Sequence, residues 1–350
     1  MMVGDQKVTI VLNSHNRHAS LTRIIDCVDK KLTNTNVIIV DSSNERGRQH
    51  IIKSMNQNTN SNQFELKSFP EDTPVFNKLL AAANSVTTKY IQYFADDDAI
   101  CPDTISDRIK FLESNSEYSA CLGRQYYCHK GEKDYTFWFE FQGQIGTFCD
   151  DDPLQRIEAL VRNWVSFSYS TMRTDVAQKA FKLASDVEPN GKFFGERILY
   201  IAMLICGKVN LLDIPSICLS VHTDRTSEKI STLQSTIFSQ TANEEYEKFL
   251  LQLSAFLYEV MKLDFEYSRE LGERFITRHL AFWMLAPKED LHLVKEKAFD
   301  AHHKYSTVYS ESLVLAVKRA TDRYAMENAV LSAELHREAK KMLDVLTATP

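Results

Sequence analysis

Nowhere in the 350 residues do about eighteen apolar residues run together, so no membrane-spanning helix is expected. The chain opens without a basic segment leading into an apolar one; no secretory signal is read, and the cytoplasm is the expected compartment. No two of the seven cysteines, at 27, 101, 121, 128, 149, 206 and 218, stand in C-x-x-C spacing. That argues against a zinc site or a redox dithiol, and neighbours such as Ile205 and Ile217 point to buried, reduced thiols. An excess of positive charge is also missing: Lys+Arg 41 against Asp+Glu 47 gives a net charge of −6. A broad nucleic-acid footprint needs a basic face and is therefore not expected, although a local basic cleft for a phosphorylated small molecule is compatible with this balance. Internal repeats and low-complexity linkers are absent.

What is present is ordinary for a globular protein: 44% hydrophobic residues, 25% charged and 11% aromatic. The length suggests two domains. Val8 to Leu12 and Val37 to Val40 are short apolar runs of the kind that suits a parallel sheet covered on both faces. Between them Leu21, Ile24, Ile25 and Val28 recur at helical spacing. Phe64 to Phe69 reads as a third strand, Val75 to Val86 as a helix, and Tyr90 to Phe94 as a fourth strand that stops at Asp96-Asp97-Asp98. This alternation predicts an α/β fold with a doubly wound sheet. Strand signals continue at Ala120 to Cys128, Tyr135 to Phe141, Trp164 to Thr171, Val209 to Leu212 and Ile217 to Val221, interleaved with helices. Beyond about Ser231 only helical patterns remain, which sets the expected division into 1–230 and a mostly helical 231–350.

Three adjacent carboxylates at a strand's C-terminal edge repel one another. A divalent cation bridging to phosphate oxygens would relieve that repulsion, and ligands of open α/β sheets sit at this edge. A solvated acidic turn is the other reading of Asp96-Asp97-Asp98. Asp150-Asp151-Asp152, by contrast, precedes Pro153 and a helix, where capping accounts for it. Trp164 and the alternation Ser166, Ser168, Ser170 fit either a strand facing a sugar acceptor or a half-exposed strand.

Val8 to Arg17, reading VTIVLNSHNR, resembles the opening strand and loop of family 2 glycosyltransferases, roughly VSIVIPTYNR. Val37 to Ser43 is similar to their second strand and Asp-rich turn, and Tyr90 to Asp98 followed by Pro102 to the strand carrying their D-x-D motif. The resemblance covers about 1–225 and implies a GT-A fold with a mixed sheet. It implies that Asn13, Ser14, Asn16 and Arg17 line the nucleotide side of a cleft, and that Asp41 holds the uracil or ribose of the donor. Asp98 would be a direct ligand of Mg²⁺ or Mn²⁺, with Asp96 a further ligand nearer the ribose and Asp97 between them on the donor side. Ser42 stands where many members carry a second acid, and the first loop has Asn13-Ser14 where Pro is common. Lys78 either reaches a diphosphate or, as is commoner for a helical lysine, lies on the surface.

In the family the general base begins a helix and is followed eleven positions later by a glycine. Glu196 and Gly207 match that spacing, with Gly195 in place of the first member of an acidic pair. The plain alternative is an acid favoured at a helix N-terminus by the helix dipole. Arg197 is expected to face solvent or phosphate. His222, in Val221-His222 after the last strand, resembles a family position that returns to the metal or diphosphate, and Arg225 could clamp a phosphate.

The resemblance implies an inverting, metal-dependent transfer of a sugar from a nucleoside diphosphate donor, with a UDP-sugar favoured. The acceptor would be a carbohydrate or lipid-linked saccharide hydroxyl in bacterial surface polysaccharide synthesis. A nucleotidyltransferase would want glycines in the first loop, and Asn13-Ser14-His15-Asn16 has none. A non-catalytic scaffold keeping the fold is the third possibility. In the C-terminal third, Val314 to Val345 carries a 3-4 spacing interrupted at Asn328 and Glu338. It suits either packing on the catalytic domain or homo-oligomerisation through helices.

Overall fold

The computed structural model describes residues 7–57, 62–130, 135–139, 148–162, 165–187, 193–221 and 242–284. Trp164, His222, Arg225 and the 314–345 pattern lie outside them.

The first half follows the sequence pattern closely. Strand β1 (Val8–Ser14) leads to helix α1 (His18–Lys31), then β2 (Asn36–Asp41), α2 (Glu45–Gln57), β3 (Gln63–Ser68), α3 (Val75–Ser85) and β4 (Tyr90–Ala95). β1 lies between β2 and β4, all parallel, with β3 outside β2. The strands read as uninterrupted apolar runs because both faces are covered. Ile10, Leu12, Val37 and Ile39 belong to a core shared with Leu21, Ile25 and Val28 of α1. Val11, Ile38 and Val40 point the other way, into a core with Phe76 and Leu79 of α3.

Helix α2 is absent from the sequence reading. Among its residues only Gly47, Ile51 and Ser54 are buried, too few apolar positions to raise a helical pattern from the sequence.

Past β4 the chain makes a two-residue strand β5 (Ala99–Ile100), helix α4 (Ile105–Ser114) and two longer antiparallel strands, β6 (Tyr118–Lys130) and β7 (Tyr135–Phe139). Helix α5 (Pro153–Arg162), strand β8 (Thr171–Arg173), helices α6 (Thr174–Val187) and α7 (Phe194–Cys206) and strand β9 (Lys208–Val221) complete the sheet. Its order is β3-β2-β1-β4-β8-β6-β9-β5, with β7 on β6. β8 runs antiparallel to both β4 and β6, which makes the sheet mixed.

Two expectations change here. The strand expected over 164–171 shrinks to β8, because residues 165–170 form an irregular segment with a turn, closed by Ser170 N–H donating to Phe167 O at 3.0 Å. The two strands expected near 209–212 and 217–221 are one, β9. Pro215 is accommodated where the β6–β9 register shifts, between Leu122 and Gln125. There Gly123 comes so close to β9 that a Cβ would sit 2.6 Å from Ile214 O.

Helices α8 (Ala242–Met261) and α9 (Phe265–Met284) pack on α6, α7 and α5. Phe249, Leu253, Leu257 and Phe275 share one apolar core with Phe194, Ile198 and Leu199 of α7. Gly272 lets α9 approach α8, since a Cβ there would already meet Leu250 and Leu253 at 3.3 Å. No helix among the described residues is long and apolar enough to cross a membrane.

Candidate active site

Register brings the first residues together. Ser14 pairs with Asp41 across β1 and β2, and Asn13 with Ala95 across β1 and β4, so Asp96 follows directly beside them. The C-terminal ends of three neighbouring parallel strands thus converge at one edge, where open α/β sheets bind ligands.

Asn16 adopts φ 56°, a left-handed conformation that Asn tolerates better than most residues, and turns the chain from β1 into α1. Its N–H donates to Ser43 Oγ at 2.7 Å and its Oδ1 accepts from Asn44 N–H at 3.0 Å. The loops after β1 and β2 are therefore strapped to each other. His15, which the motif reading passed over, adds to the strap: its Nδ1 is 3.0 Å from Ser42 O, and its main-chain N–H donates to Asp96 Oδ2 at 3.1 Å.

Asp41 is fully enclosed. Its Oδ1 accepts from Ser43 Oγ at 2.6 Å, while Oδ2 has Arg48 Nε at 3.9 Å as counter-charge and no hydrogen bond among the described residues. Asn13 Oδ1, on the neighbouring strand end, is likewise buried and accepts none among them.

Lys78 is not on the helix surface; it is 2% exposed. Its ammonium donates to Ser14 O at 3.0 Å and Ser42 Oγ at 2.8 Å, tying the ends of β1 and β2 from below. Burial pushes its pKa down to about 8, against the pull of Asp96 and Asp41, which favour the charge. Of the two sequence readings this excludes the surface one; a lysine four residues into a helix carries no local sign of facing a polar strand edge.

In the acidic triplet, Asp96 and Asp98 are buried and Asp97 is partly so. Burial, then repulsion from Asp97, pushes Asp96 up to about 7; the His15 N–H, Arg17 and Ser14 oppose this. Arg17 pairs with Asp97 and stands 3.7 Å from Asp96 Oδ1. Asp98 Oδ2 accepts from the hydroxyl of Tyr169 at 2.7 Å. Tyr169 lies flat on Tyr93, with ring centroids 5.6 Å apart. No group of three or more metal-ligating side chains comes together among the described residues. Mg²⁺ is commonly held by one or two carboxylates with substrate phosphates completing its shell, and the hard oxygens of Asp96 and Asp98 suit that role. A strand end where burial and a neighbouring carboxylate both oppose the ionisation of Asp96 is electrostatically receptive to a cation.

Glu196 stands in the first turn of α7, its side chain 35% exposed but crowded by protein atoms that raise its pKa. Arg197 Nη1 at 3.3 Å and the Tyr200 hydroxyl at 3.4 Å oppose that shift. The phenol of Tyr93 is raised by burial first, then by Asp97, Asp96, Asp98 and Glu196, so the triplet and Glu196 act on one shared group. Arg197 is buried against the Phe193 ring at 3.8 Å rather than facing solvent. Gly207 ends the helix where a Cβ would lie 2.7 Å from Ser119 N, which gives the glycine eleven positions after Glu196 a packing cause.

Asp150 to Asp152 act as expected: Asp152 Oδ1 accepts the Leu154 N–H of α5 at 2.9 Å. Tyr93, Tyr169, Tyr200, His15 and Arg48 were not singled out from the sequence. Their roles depend on contacts across the sheet, and only the aromatic-rich YIQYF strand carried a hint.

Residues 9–173 match the model for glycosyl transferase family 2. No curated protein matches the chain. Among solved structures, S. aureus TarS 1–349 with UDP-GlcNAc is similar at TM-score 0.60 and 12% identity, over 96% of this chain and 90% of that one. The same TarS segment with UDP gives 0.54 and 13%, covering 97% and 88%. Against a longer TarS structure the score is 0.54 at 11% identity, and this chain spans 55% of that one. The resemblance read from the motifs is thereby borne out, as is the mixed α/β fold of GT-A type with helices at its C-terminal side. The matched family is one of glycosyl transferases, and the solved structures share the fold.

Proposed function

From a family 2 glycosyltransferase region over residues 9–173, we propose that this chain is an inverting, metal-dependent glycosyltransferase using a nucleoside diphosphate sugar, a UDP-sugar by preference. The observation that carries the donor assignment is the pair of buried acceptors without hydrogen bonds among the described residues, Asn13 Oδ1 and Asp41 Oδ2, on adjacent strand ends. A buried acceptor left unpaired is costly, and the N–H of a uracil and the hydroxyls of a ribose are the donors such atoms lack.

Ser14, Asn16 and Arg17 frame this pocket, with Asp97 held by Arg17 and Lys78 supplying fixed positive charge beneath it. Asp96, Asp98 and, after β9, His222 would hold Mg²⁺ or Mn²⁺, and Arg225 would meet the diphosphate. Such a cation supplies Lewis-acid neutralisation of the departing diphosphate. Glu196 takes the proton of the acceptor hydroxyl as its oxygen attacks the anomeric carbon opposite the leaving group, which inverts that centre. Its raised pKa brings it nearer neutrality, as a base working at that pH requires.

The acceptor class is a carbohydrate or lipid-linked saccharide of a surface polysaccharide, handled in the cytoplasm. The division of 1–230 as catalytic and 231–350 as acceptor platform, packing or association region completes the proposal. UDP-GlcNAc, bound by the similar TarS segment, is the first donor to try. The test is hydrolysis and transfer across UDP- and GDP-sugars with Mn²⁺ or EDTA, the product's anomeric configuration being read by NMR. Metal-dependent turnover with inversion is expected. Retention overturns the mechanism, and preference for a nucleoside triphosphate would favour nucleotidyl transfer.

A further inference from the structure

Tyr200 lies one helical turn beyond Glu196 on α7 and is completely buried. Among the described residues its hydroxyl meets Ser166 Oγ at 2.8 Å, Ser168 Oγ at 2.7 Å and Glu196 Oε1 at 3.4 Å. A phenol oxygen has one proton to give and two lone pairs to fill, whereas an ionised carboxylate only accepts. The three contacts are satisfied together in one way: both serine hydroxyls donate into the phenol oxygen, and the phenol proton turns towards Glu196.

The serines are themselves held. Ser166 O accepts from Gln125 Nε2 at 2.7 Å. Tyr169 O, one residue past Ser168, accepts from Gln92 Nε2 at 2.8 Å, with the buried Arg108 Nη1 at 3.4 Å. The ring of Phe167, between the serines, packs against that of Tyr200 at 5.4 Å. The contacts thus run from an anchored loop through one phenol to one carboxylate oxygen.

We infer that Tyr200, oriented by Ser166 and Ser168, is a positioning residue for Glu196, fixing the direction of its carboxylate and opposing its protonation. The catalytic consequence rests on Glu196 being the base; the positioning does not. Among the described residues, Arg197 and Tyr200 from its own helix and Tyr93 from β4 act on Glu196, with the two serines behind Tyr200. Arg197 favours the ionised form through Oε2, so loss of Tyr200's hydroxyl leaves one of the two supports standing.

The experiment is a pH titration of metal-free full-length protein carrying ¹³C at the glutamate side-chain carboxyls, the Glu196 signal being identified by its loss in Glu196→Gln. Tyr200→Phe keeps the ring and should move the Glu196 midpoint upward. Ser166→Ala with Ser168→Ala, which keeps the phenol, should move it the same way by less. An unchanged midpoint in Tyr200→Phe overturns the inference. The pH profile of donor turnover separates the two readings. If Glu196 is the base, the acid limb follows its midpoint, with a several-fold loss on the acid side that recovers at higher pH. A midpoint that moves while the limb stays supports the positioning and removes Glu196 as the base.

Discussion

The two acidic regions of the cleft are built by opposite means. At the end of β4 three carboxylates crowd one turn, and the Arg17 guanidinium, a main-chain N–H and a tyrosine hydroxyl gather around them. At the start of α7 a single carboxylate stands among aromatic rings and hydroxyls, with one guanidinium beside it. Charge surplus makes the first region dependent on something from outside to complete it. The second is complete within the chain, because its one acid has its own hydrogen-bond donor and its own counter-charge. Binding a charged ligand and moving a single proton ask for these two designs respectively.

The sharpest way to break this contrast is Glu196→Gln. It keeps shape and polarity but removes the proton acceptor, so turnover should fall about 10²–10⁴-fold while nucleotide and Mn²⁺ binding persist. Near-normal turnover with a lowered melting temperature would reduce Glu196 to a helix-terminal acid.

A smaller but measurable effect concerns Asp96, whose pKa is raised from 3.8 to about 7. The folded protein holds this proton where the unfolded chain has released it, so stability contributed at low pH is lost as pH rises through that window. Without metal, Asp96→Asn should melt several degrees above the parent at about pH 8, and the gap should close towards pH 4. Calorimetry in EDTA checks it; an equal gap at both pH values would mean that Asp96 is not strained by its neighbours.

Tyr169→Phe removes the hydroxyl that donates to Asp98 Oδ2 at 2.7 Å. A hydrogen bond to a charged group is worth about 1.5–3 kcal/mol, so Mn²⁺ affinity, read calorimetrically with UDP present, should fall by about ten- to a hundredfold as Asp98 loses the group that holds it. The smallest effect belongs to Lys110→Ala, which breaks an exposed pair with Asp107 on α4 and should stay within about 0.5 kcal/mol. A larger loss would show that surface pairs matter here as the buried ones do.

How much of this was legible in the sequence follows the same divide. β1, β2 and β4 announce themselves as apolar runs, and their ends carry Asn13, Asp41 and Asp96 within a few residues of the run. Local patterns suffice there because parallel register aligns the ends. α2 is missed for want of apolar residues, and Lys78 stays open between surface and site because helix periodicity does not say which polar group a buried amine will meet. Around Glu196 only the acid and its distant glycine could be read. Tyr200, Ser166 and Ser168 come from separate stretches that meet only in the folded protein, and a serine alternation that reads as a strand is in fact a turn-containing loop.

That loop faces both ways. Ser166 and Ser168 reach Tyr200 and thus Glu196, while Tyr169 between them and Ser170 reaches Asp98. Both ends of these five residues share one support, Tyr169 O held by Gln92 Nε2 at 2.8 Å. Substitutions on the two banks of the cleft should therefore fail to add. In a thermodynamic cycle combining Tyr169→Phe with Tyr200→Phe, the double variant should depart from the sum of the singles by about 0.5 kcal/mol or more, the measure of residues that share one support.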